Sequence, residues 1–155
     1  MYMDLDNAFS RLKNMREDLE LTQKEIAKIL DVKRSTYAGW ECGKDIIPLR
    51  QLNKLSNYYN ISIDYLLGFS NTKFYNPINY EINSMEVSKK LKEIRESLQL
   101  TQAEFAEVVG FSQSNCHKYE SNKALITTSY ISNIAKRYGI SIDWILSKTK
   151  NRNIS

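Results

Sequence analysis

Apolar residues recur at helical spacing in two stretches of the chain that share one pattern. The first stretch runs from Thr22 to Lys44 and the second from Thr101 to Lys123. Each opens on a threonine followed three residues later by glutamate, the capping box that starts many helices. Apolar positions at spacings of three and four then predict a helix with one buried face. These positions are Ile26, Ala27 and Leu30 in the first stretch and Phe105, Ala106 and Val109 in the second.

After a short turn, each stretch continues into a second helix that begins with small polar or basic residues. A capped helix, a tight turn and a polar-headed second helix together predict a helix-turn-helix. The repeat extends beyond these stretches, because a constant offset of 79 residues also pairs Leu12 with Leu91 and Asp64 with Asp143. A constant offset without gaps indicates duplication of a whole folding unit. We therefore predict two small domains, residues 1–69 and 85–155.

Helical periodicity predicts an all-α fold with five helices in each domain. Pro48 suits the first turn of the fourth helix, and Ser62 and Ser141 are placed to cap the fifth. The predicted buried positions of the first helix and its copy are Phe9, Leu12, Met15, Leu19, Val87, Leu91, Ile94 and Leu98. Those of the fourth helix and its copy are Leu49, Leu52, Leu55, Ile131, Ile134 and Tyr138.

Residues 70–84 break the pattern and are predicted to be a linker. Asparagine is the most frequent residue there, and Phe74, Tyr75 and Tyr80 suggest that part of the segment packs against a domain. At roughly 3.3 Å per residue, the segment spans about 50 Å when extended. This exceeds the roughly 34 Å between successive turns of a DNA groove. The linker would therefore allow both domains to occupy one duplex.

Composition adds only weak constraints. The chain has 155 residues and a formal net charge of +4, so any site for a polyanion must come from local clustering of charge. Cys42 and Cys116 lie at non-equivalent positions and form no CxxC motif, so we expect neither a disulfide framework nor a metal site. The N-terminus does not have the form of a signal peptide, and no apolar run approaches membrane-spanning length. We expect a soluble, cytoplasmic protein.

Each domain resembles the DNA-binding domain of the lambdoid phage repressors and Cro proteins. The resemblance covers about residues 11–68 and 90–147 and rests on three linked features. These are the TQxE opening, a third helix that ends in Trp40-Glu41 or Tyr119-Glu120, and an IS-ID ending followed by an aromatic residue. It implies that double-stranded DNA is the partner and that the third helix of each domain enters the major groove.

By position, the resemblance assigns DNA contacts to both domains. Arg34 would bond guanine and Gln113 adenine, each through two parallel hydrogen bonds. Gln23 and Gln102 would bond phosphate and brace the reading helix, and Lys44 and Lys123 would contact phosphate. The remaining predicted base-reading residues are Lys33, Ser35, Thr36, Ser112, Ser114 and Lys118. For His117, a phosphate contact and an exposed solvated side chain both stay open, and Cys116 is expected to be a small core residue.

The resemblance also implies a structural ion pair in each domain. Arg16 and Glu41 are separated by the same distance in sequence as Arg95 and Glu120. Related repressors bury such an arginine of the first helix against a glutamate at the end of the third. Loss of one partner would leave a buried charge without compensation and cost about 3–5 kcal/mol.

The two predicted reading helices differ in sequence. Gly39 stands where the second domain has Lys118, and Gly43, the usual turn residue, is replaced by Asn122, which tolerates the same left-handed turn. Lys33 is a poor helix cap where the second domain has a serine. The two helices should therefore read different bases, and we predict an asymmetric, two-part site.

The leading hypothesis is a sequence-specific DNA-binding regulator, most simply a repressor. The alternative is a protein-interaction or antitoxin-like module in which one domain serves dimerisation. The family commonly forms homodimers, which favours a homodimer, but one chain could also place both domains on neighbouring groove turns. With one histidine, no glycine-rich phosphate loop and no paired carboxylates in a plausible cleft, we predict no enzyme, no catalytic residue, no metal and no cofactor.

Overall fold

The computed structural model of the chain describes residues 5–73 and 81–155. The chain folds into two compact units, the first containing the described residues 5–73 and the second containing residues 81–154. The described residues form ten helices and no extended strand, which confirms the predicted all-α class. None of these helices is both long and apolar enough to cross a bilayer.

Each unit contains five helices in the predicted order. Those of the first unit are α1 (Leu5–Asp18), α2 (Gln23–Ile29), α3 (Arg34–Glu41), α4 (Leu49–Tyr59) and α5 (Ile63–Leu66). Those of the second unit are α6 (Ser84–Ser97), α7 (Gln102–Val109), α8 (Gln113–Glu120), α9 (Thr128–Tyr138) and α10 (Ile142–Ile145).

Both predicted capping boxes are present at the start of α2 and α7. The Thr22 backbone N–H donates to the Glu25 carboxylate at 2.7 Å, and the threonine hydroxyl accepts from the Glu25 backbone N–H at 3.2 Å. Thr101 and Glu104 repeat both bonds at the same distances. Backbone N–H groups at a helix start have no partner within the helix, so these reciprocal bonds fix where each helix begins.

The buried faces of the first helices are shorter than predicted. Leu12, Leu91 and Ile94 lie in the cores, but Leu19 is 50% exposed and Leu98 is 36% exposed. Both leucines follow the last residue of their helix, and the chain then turns through a left-handed residue. Helical spacing therefore no longer decides which way these leucines point, and their predicted burial was wrong. Phe9 and Tyr138, also predicted to be buried, are only half-buried.

The two cores are filled by different arrangements of aromatic residues. In the first unit, Tyr37 of α3 is fully buried; its counterpart in α8 is the smaller Cys116, also buried as predicted. The second unit instead buries Tyr130 of α9, whose ring centroid lies 4.8 Å from that of Tyr119. The position equivalent to Tyr130 in α4 is Gln51. A tyrosine on the third helix of one unit is thus exchanged for a tyrosine on the fourth helix of the other.

Each unit ends in a segment that returns to the start of its fifth helix. The backbone N–H of Ser62 donates to the carbonyl oxygen of Lys73 at 3.2 Å, and that of Ser141 donates to the carbonyl oxygen of Arg152 at 2.8 Å. Lys73 belongs to the segment predicted to be a linker. The predicted linker boundaries stay a prediction, because residues 74–80, with Phe74, Tyr75 and Tyr80, lie outside the described residues.

The turn after the third helix is left-handed in both units, as predicted. Gly43 has φ +78° and Asn122 has φ +56°. A side chain at position 43 would overlap the ring of Phe9. The second unit has Ser88 in place of this phenylalanine, and its hydroxyl donates to the Tyr119 carbonyl oxygen at 2.6 Å. The glycine therefore leaves room for the phenylalanine in the first unit, whereas the asparagine of the second unit occurs together with the smaller serine.

Replacing Gly43 by asparagine should lower the free energy of unfolding of the first unit by about 1–3 kcal/mol, because the new side chain must displace Phe9. The same change should cost less in a Phe9→Ser background, which can be measured as a double-mutant cycle by urea denaturation. Trp40 and Trp144 are the two tryptophans of the chain, so a Trp144→Phe background makes fluorescence report on the first unit alone. Equal costs in both backgrounds would contradict the proposed match.

Candidate nucleic-acid interface

The third helix of each unit has a buried face and an outward face. In α3, Tyr37, Trp40 and Glu41 point inward. In α8, Cys116 and Tyr119 are buried. Of the residues predicted to contact DNA, only Gln23 and Gln102 are half-buried. The exposed ones are Lys33, Arg34, Ser35, Thr36, Lys44, Ser112, Gln113, Ser114, Lys118 and Lys123. These side chains are accessible to a partner, and their contact with DNA stays a prediction.

The starts of α3 and α8 differ as the sequence predicts. The Ser112 hydroxyl caps α8 by accepting from the Asn115 backbone N–H at 3.2 Å. Lys33 occupies the corresponding position before α3 and makes no capping bond through its side chain. The first turn of α3 therefore keeps backbone N–H groups that its cap does not satisfy.

A buried arginine–glutamate pair lies beneath α3 and another beneath α8, as the resemblance implies. Arg16 donates to both carboxylate oxygens of Glu41, at 2.9 and 2.7 Å. Arg95 does the same to Glu120, at 2.6 and 3.0 Å. The side chains are 11% and 5% exposed in the first pair and 13% and 5% in the second. Two parallel bonds in a largely dry site give each pair a fixed geometry.

The lowered pKa values of the two glutamate carboxyls agree with this geometry. Burial by itself raises the pKa of the Glu41 carboxyl, but hydrogen bonds, above all from Arg16, outweigh it and hold the pKa below its ordinary value of 4.5. Burial and the bond from Arg95 act in the same opposing way on Glu120, whose pKa is also lowered. Both carboxyls are therefore ionised in the folded protein at neutral pH.

The glutamine at the start of the second helix connects this pair to the surface. The Gln102 side-chain amide donates to Glu120 at 3.0 Å. The Gln23 amide donates to Glu41 at 3.5 Å, and its oxygen accepts from the Arg34 guanidinium at 3.1 Å. An amide nitrogen carries two hydrogens, so each glutamine keeps a second donor, and its predicted bond to phosphate stays a prediction.

Sequence reasoning missed the bond between Gln23 and Arg34. It holds the guanidinium that is predicted to read guanine, and it connects α3 to α2 at the exposed end of the interface. The sequence offered one signal for this bond. An arginine lies eleven residues after the glutamine in the first unit, whereas the second unit has Gln113 at the equivalent position.

Of the two cysteines, only Cys42 is exposed, and both roles considered for His117, a phosphate contact and a solvated side chain, stay open. His117 is exposed. Burial raises the pKa of the Cys116 thiol to about 11, which keeps the thiol protonated and unreactive at neutral pH. This side chain is 1% exposed and serves the core, as predicted.

Comparison with known proteins identifies the family. The sequence model of the helix-turn-helix family matches residues 12–66 and 91–145, one match in each unit. The chain belongs to the helix-turn-helix family. No solved structure gives a significant match.

Several curated proteins are similar in sequence to parts of the chain. The HTH-type transcriptional regulator ImmR of Bacillus subtilis (strain 168) is 35% identical over 63% of this chain and 77% of its own length. The uncharacterized HTH-type transcriptional regulator YobD of the same organism is 33% identical over 39% of this chain and 54% of its own length. The antitoxin PezA of Streptococcus pneumoniae serotype 4 (strain ATCC BAA-334 / TIGR4) is 31% identical over 43% of this chain and 42% of its own length. The chain thus spans about half the length of YobD and PezA.

Replacing Glu41 by glutamine should lower the free energy of unfolding of the first unit by about 3–5 kcal/mol, because Arg16 would stay buried without a counter-charge. Urea denaturation followed by Trp40 fluorescence in the Trp144→Phe background would measure the loss. The double variant Arg16→Met with Glu41→Leu removes both charges and should cost less than the single change. A single variant as stable as wild type would show that the pair does not hold the unit together.

Lowering the pH should destabilise the protein. The carboxyls of Glu25, Glu41, Glu104 and Glu120 all have pKa values below their ordinary 4.5 in the folded state. The unfolded chain therefore binds more protons, so their stabilisation is fully present above pH 4.5 and is lost as pH falls through the folded pKa values. Denaturation between pH 6 and pH 3 would measure this decline.

A matched control is the Glu25→Gln variant. Glutamine also completes a capping box but does not titrate. Its stability should therefore decline less steeply with falling pH than that of the wild type. Identical slopes would exclude the first capping carboxyl as a source of the acid sensitivity.

Proposed function

We propose that the protein is a sequence-specific double-stranded DNA-binding regulator of transcription, most simply a repressor that blocks a promoter. One observation carries the proposal. In both units the third helix buries its apolar face in the core and leaves outward a set of exposed basic, amide and hydroxyl side chains. The family match in both units supports the proposed DNA-binding function, and so does the similarity to ImmR, which is named a transcriptional regulator.

In the first unit, α3 would enter the major groove with Arg34 facing a guanine. The O6 and N7 acceptors of guanine match two parallel N–H donors of a guanidinium. The bond from Arg34 to Gln23 restricts the long side chain before DNA arrives, so less side-chain entropy is lost on binding. Lys44 follows the helix and would contact a phosphate.

In the second unit, α8 would present Gln113 to an adenine, whose N6 donor and N7 acceptor match the side-chain amide. Lys118 would lie five residues further along the same helix, and Lys123 would contact a phosphate. The polar ends of the two reading helices share only a serine at equivalent positions, Ser35 and Ser114. We therefore propose a binding site with two unlike halves rather than a perfect inverted repeat.

Two assemblies are compatible with such a site. One chain would place both units on neighbouring groove turns, or two chains would bind as a homodimer, the form favoured by the resemblance to phage repressors. Sedimentation of the full chain with and without a selected duplex distinguishes the two assemblies by the mass of the complex. In either case, we propose that the protein acts in the cytoplasm.

The similarity to PezA favours one second candidate, an antitoxin-like or protein-interaction role in which one unit serves dimerisation. The two candidates differ in what the exposed ends of α3 and α8 do. A DNA-reading role requires Arg34 and Gln113, whereas an interaction role for one unit leaves the corresponding residue without effect on base preference.

Replacing Arg34 or Gln113 by alanine should each weaken binding to the preferred duplex by about 1–3 kcal/mol and remove preference at its own base position. Selection from a random duplex pool at fixed salt, followed by binding titration, measures both effects. Lys13→Ala and Lys92→Ala are matched controls, because these lysines occupy equivalent exposed positions of α1 and α6. If only one of the two alanine variants changed base preference, the other unit would have the interaction role.

A further inference from the structure

The outward face of α3 contains a glycine that is nevertheless buried. Gly39 lies four residues after the exposed Ser35, so the two positions share one side of the helix. Tyr37, two residues before the glycine, occupies the opposite, inward side and is fully buried. Position 39 therefore faces away from the core, toward the surface that would meet DNA.

The carboxylate of Asp45 occupies the space above this glycine. A Cβ on Gly39 would lie 2.7 Å from Oδ2 of Asp45, and its three nearest heavy atoms would all belong to the Asp45 side chain. The Asp45 backbone N–H donates to the Gly39 carbonyl oxygen at 3.2 Å, which holds the loop against the end of the helix. A loop residue thus supplies the functional group at a helix position that has no side chain of its own.

This carboxylate is accessible. Asp45 is exposed, and no ion pair within 4 Å between described residues includes it. Its oxygens are hydrogen-bond acceptors only. The first unit therefore presents acceptor atoms and negative charge beside Ser35.

The second unit presents the opposite charge at the equivalent place. Its helix carries the exposed Lys118 where the first unit has Gly39, and Ala124 replaces Asp45. The loop backbone is retained, since the Ala124 N–H donates to the Lys118 carbonyl oxygen at 3.4 Å. The exchange therefore changes the chemistry of the surface while this backbone bond between loop and helix is kept.

We propose that Asp45 is a specificity-determining residue of the first unit, which selects cytosine at one position of its half-site. This inference rests on the proposed DNA-binding function. Cytosine presents the N4 amino donor in the major groove, whereas guanine presents only acceptors there, which a carboxylate would repel. Adenine places its N7 acceptor beside its amino donor and would be less favourable for a side chain that only accepts.

The same position in the second unit should select guanine. The Lys118 ammonium can donate to both acceptors of guanine and has no acceptor for cytosine. Charge at this one position therefore gives the two half-sites opposite preferences. The carboxylate also repels phosphate, so the first unit would gain discrimination between bases at the expense of general affinity.

Selection from a random duplex pool by the full chain, wild type against Asp45→Ala, tests the proposal. The wild type should prefer cytosine at one position of the half-site that also responds to Arg34→Ala. Asp45→Ala should reduce that preference by about tenfold or more and should strengthen binding to duplexes with other bases there. Preferences at the remaining positions should not change.

Gly39→Ala is a second variant that keeps the charge. The new methyl group must displace the flexible end of the Asp45 side chain, while alanine favours the helix over glycine. Base preference at the cytosine position should fall although the melting temperature does not. In the second unit, Lys118→Gly combined with Ala124→Asp should turn a guanine preference into a cytosine preference.

The outcomes separate this inference from the function on which it rests. If Asp45→Ala lowered the melting temperature but left every base preference intact, the carboxylate would be structural and the inference would be overturned, while DNA reading would stand. If the wild type enriched no sequence from the pool, the proposed function would fail and the inference with it.

Discussion

The buried arginine–glutamate pair is the constraint on which each unit depends. Arg16 comes from α1 and Glu41 from the end of α3, and neither charge is stable in the core without the other. The guanidinium also donates to the Leu21 carbonyl oxygen at 2.6 Å, which fixes the connection into α2. Gln23 then connects the same carboxylate to the first turn of α2. One buried charge therefore sets how three helices meet, and with it the direction in which the outward face of α3 points.

The second unit retains this constraint while much around it changes. Arg95, Glu120 and Gln102 reproduce the bonds of the first unit. Elsewhere, residues differ between the units in sets. The large buried tyrosine lies on the third helix of the first unit and on the fourth helix of the second. Phe9 and Gly43 of the first unit correspond to Ser88 and Asn122 of the second. Matching is needed because packed interiors tolerate neither voids nor overlap. The duplicated units thus keep one scaffold with separately adjusted cores.

The outward faces follow a different rule. Exposed side chains have few neighbours to satisfy, so they can change without loss of stability. Arg34 against Gln113, and the Asp45 carboxylate against Lys118, give the surfaces at α3 and α8 different donors, acceptors and charges. A duplicated scaffold with unlike surfaces suits recognition of a site whose halves differ, which is the basis of the proposed function.

The sequence by itself determined the features that are encoded within a few residues of one another. The capping boxes at Thr22 and Thr101, the helical periods and the all-α class are of this kind. The constant offset of 79 residues showed the duplication as well, and family resemblance added the buried ion pairs. Local patterns suffice there because hydrogen bonds and periodicity within a helix depend on near neighbours.

Tertiary structure alone decided the features that depend on the path of the chain between elements. Leu19 and Leu98 continue an apolar spacing, yet they are exposed because the helix has already ended. The bond from Arg34 to Gln23 depends on the angle at which α2 and α3 meet, and the position of Asp45 over Gly39 depends on the turn that follows α3. In each case the spacing of residues in sequence does not give their separation in space, because the connecting backbone leaves the helical period.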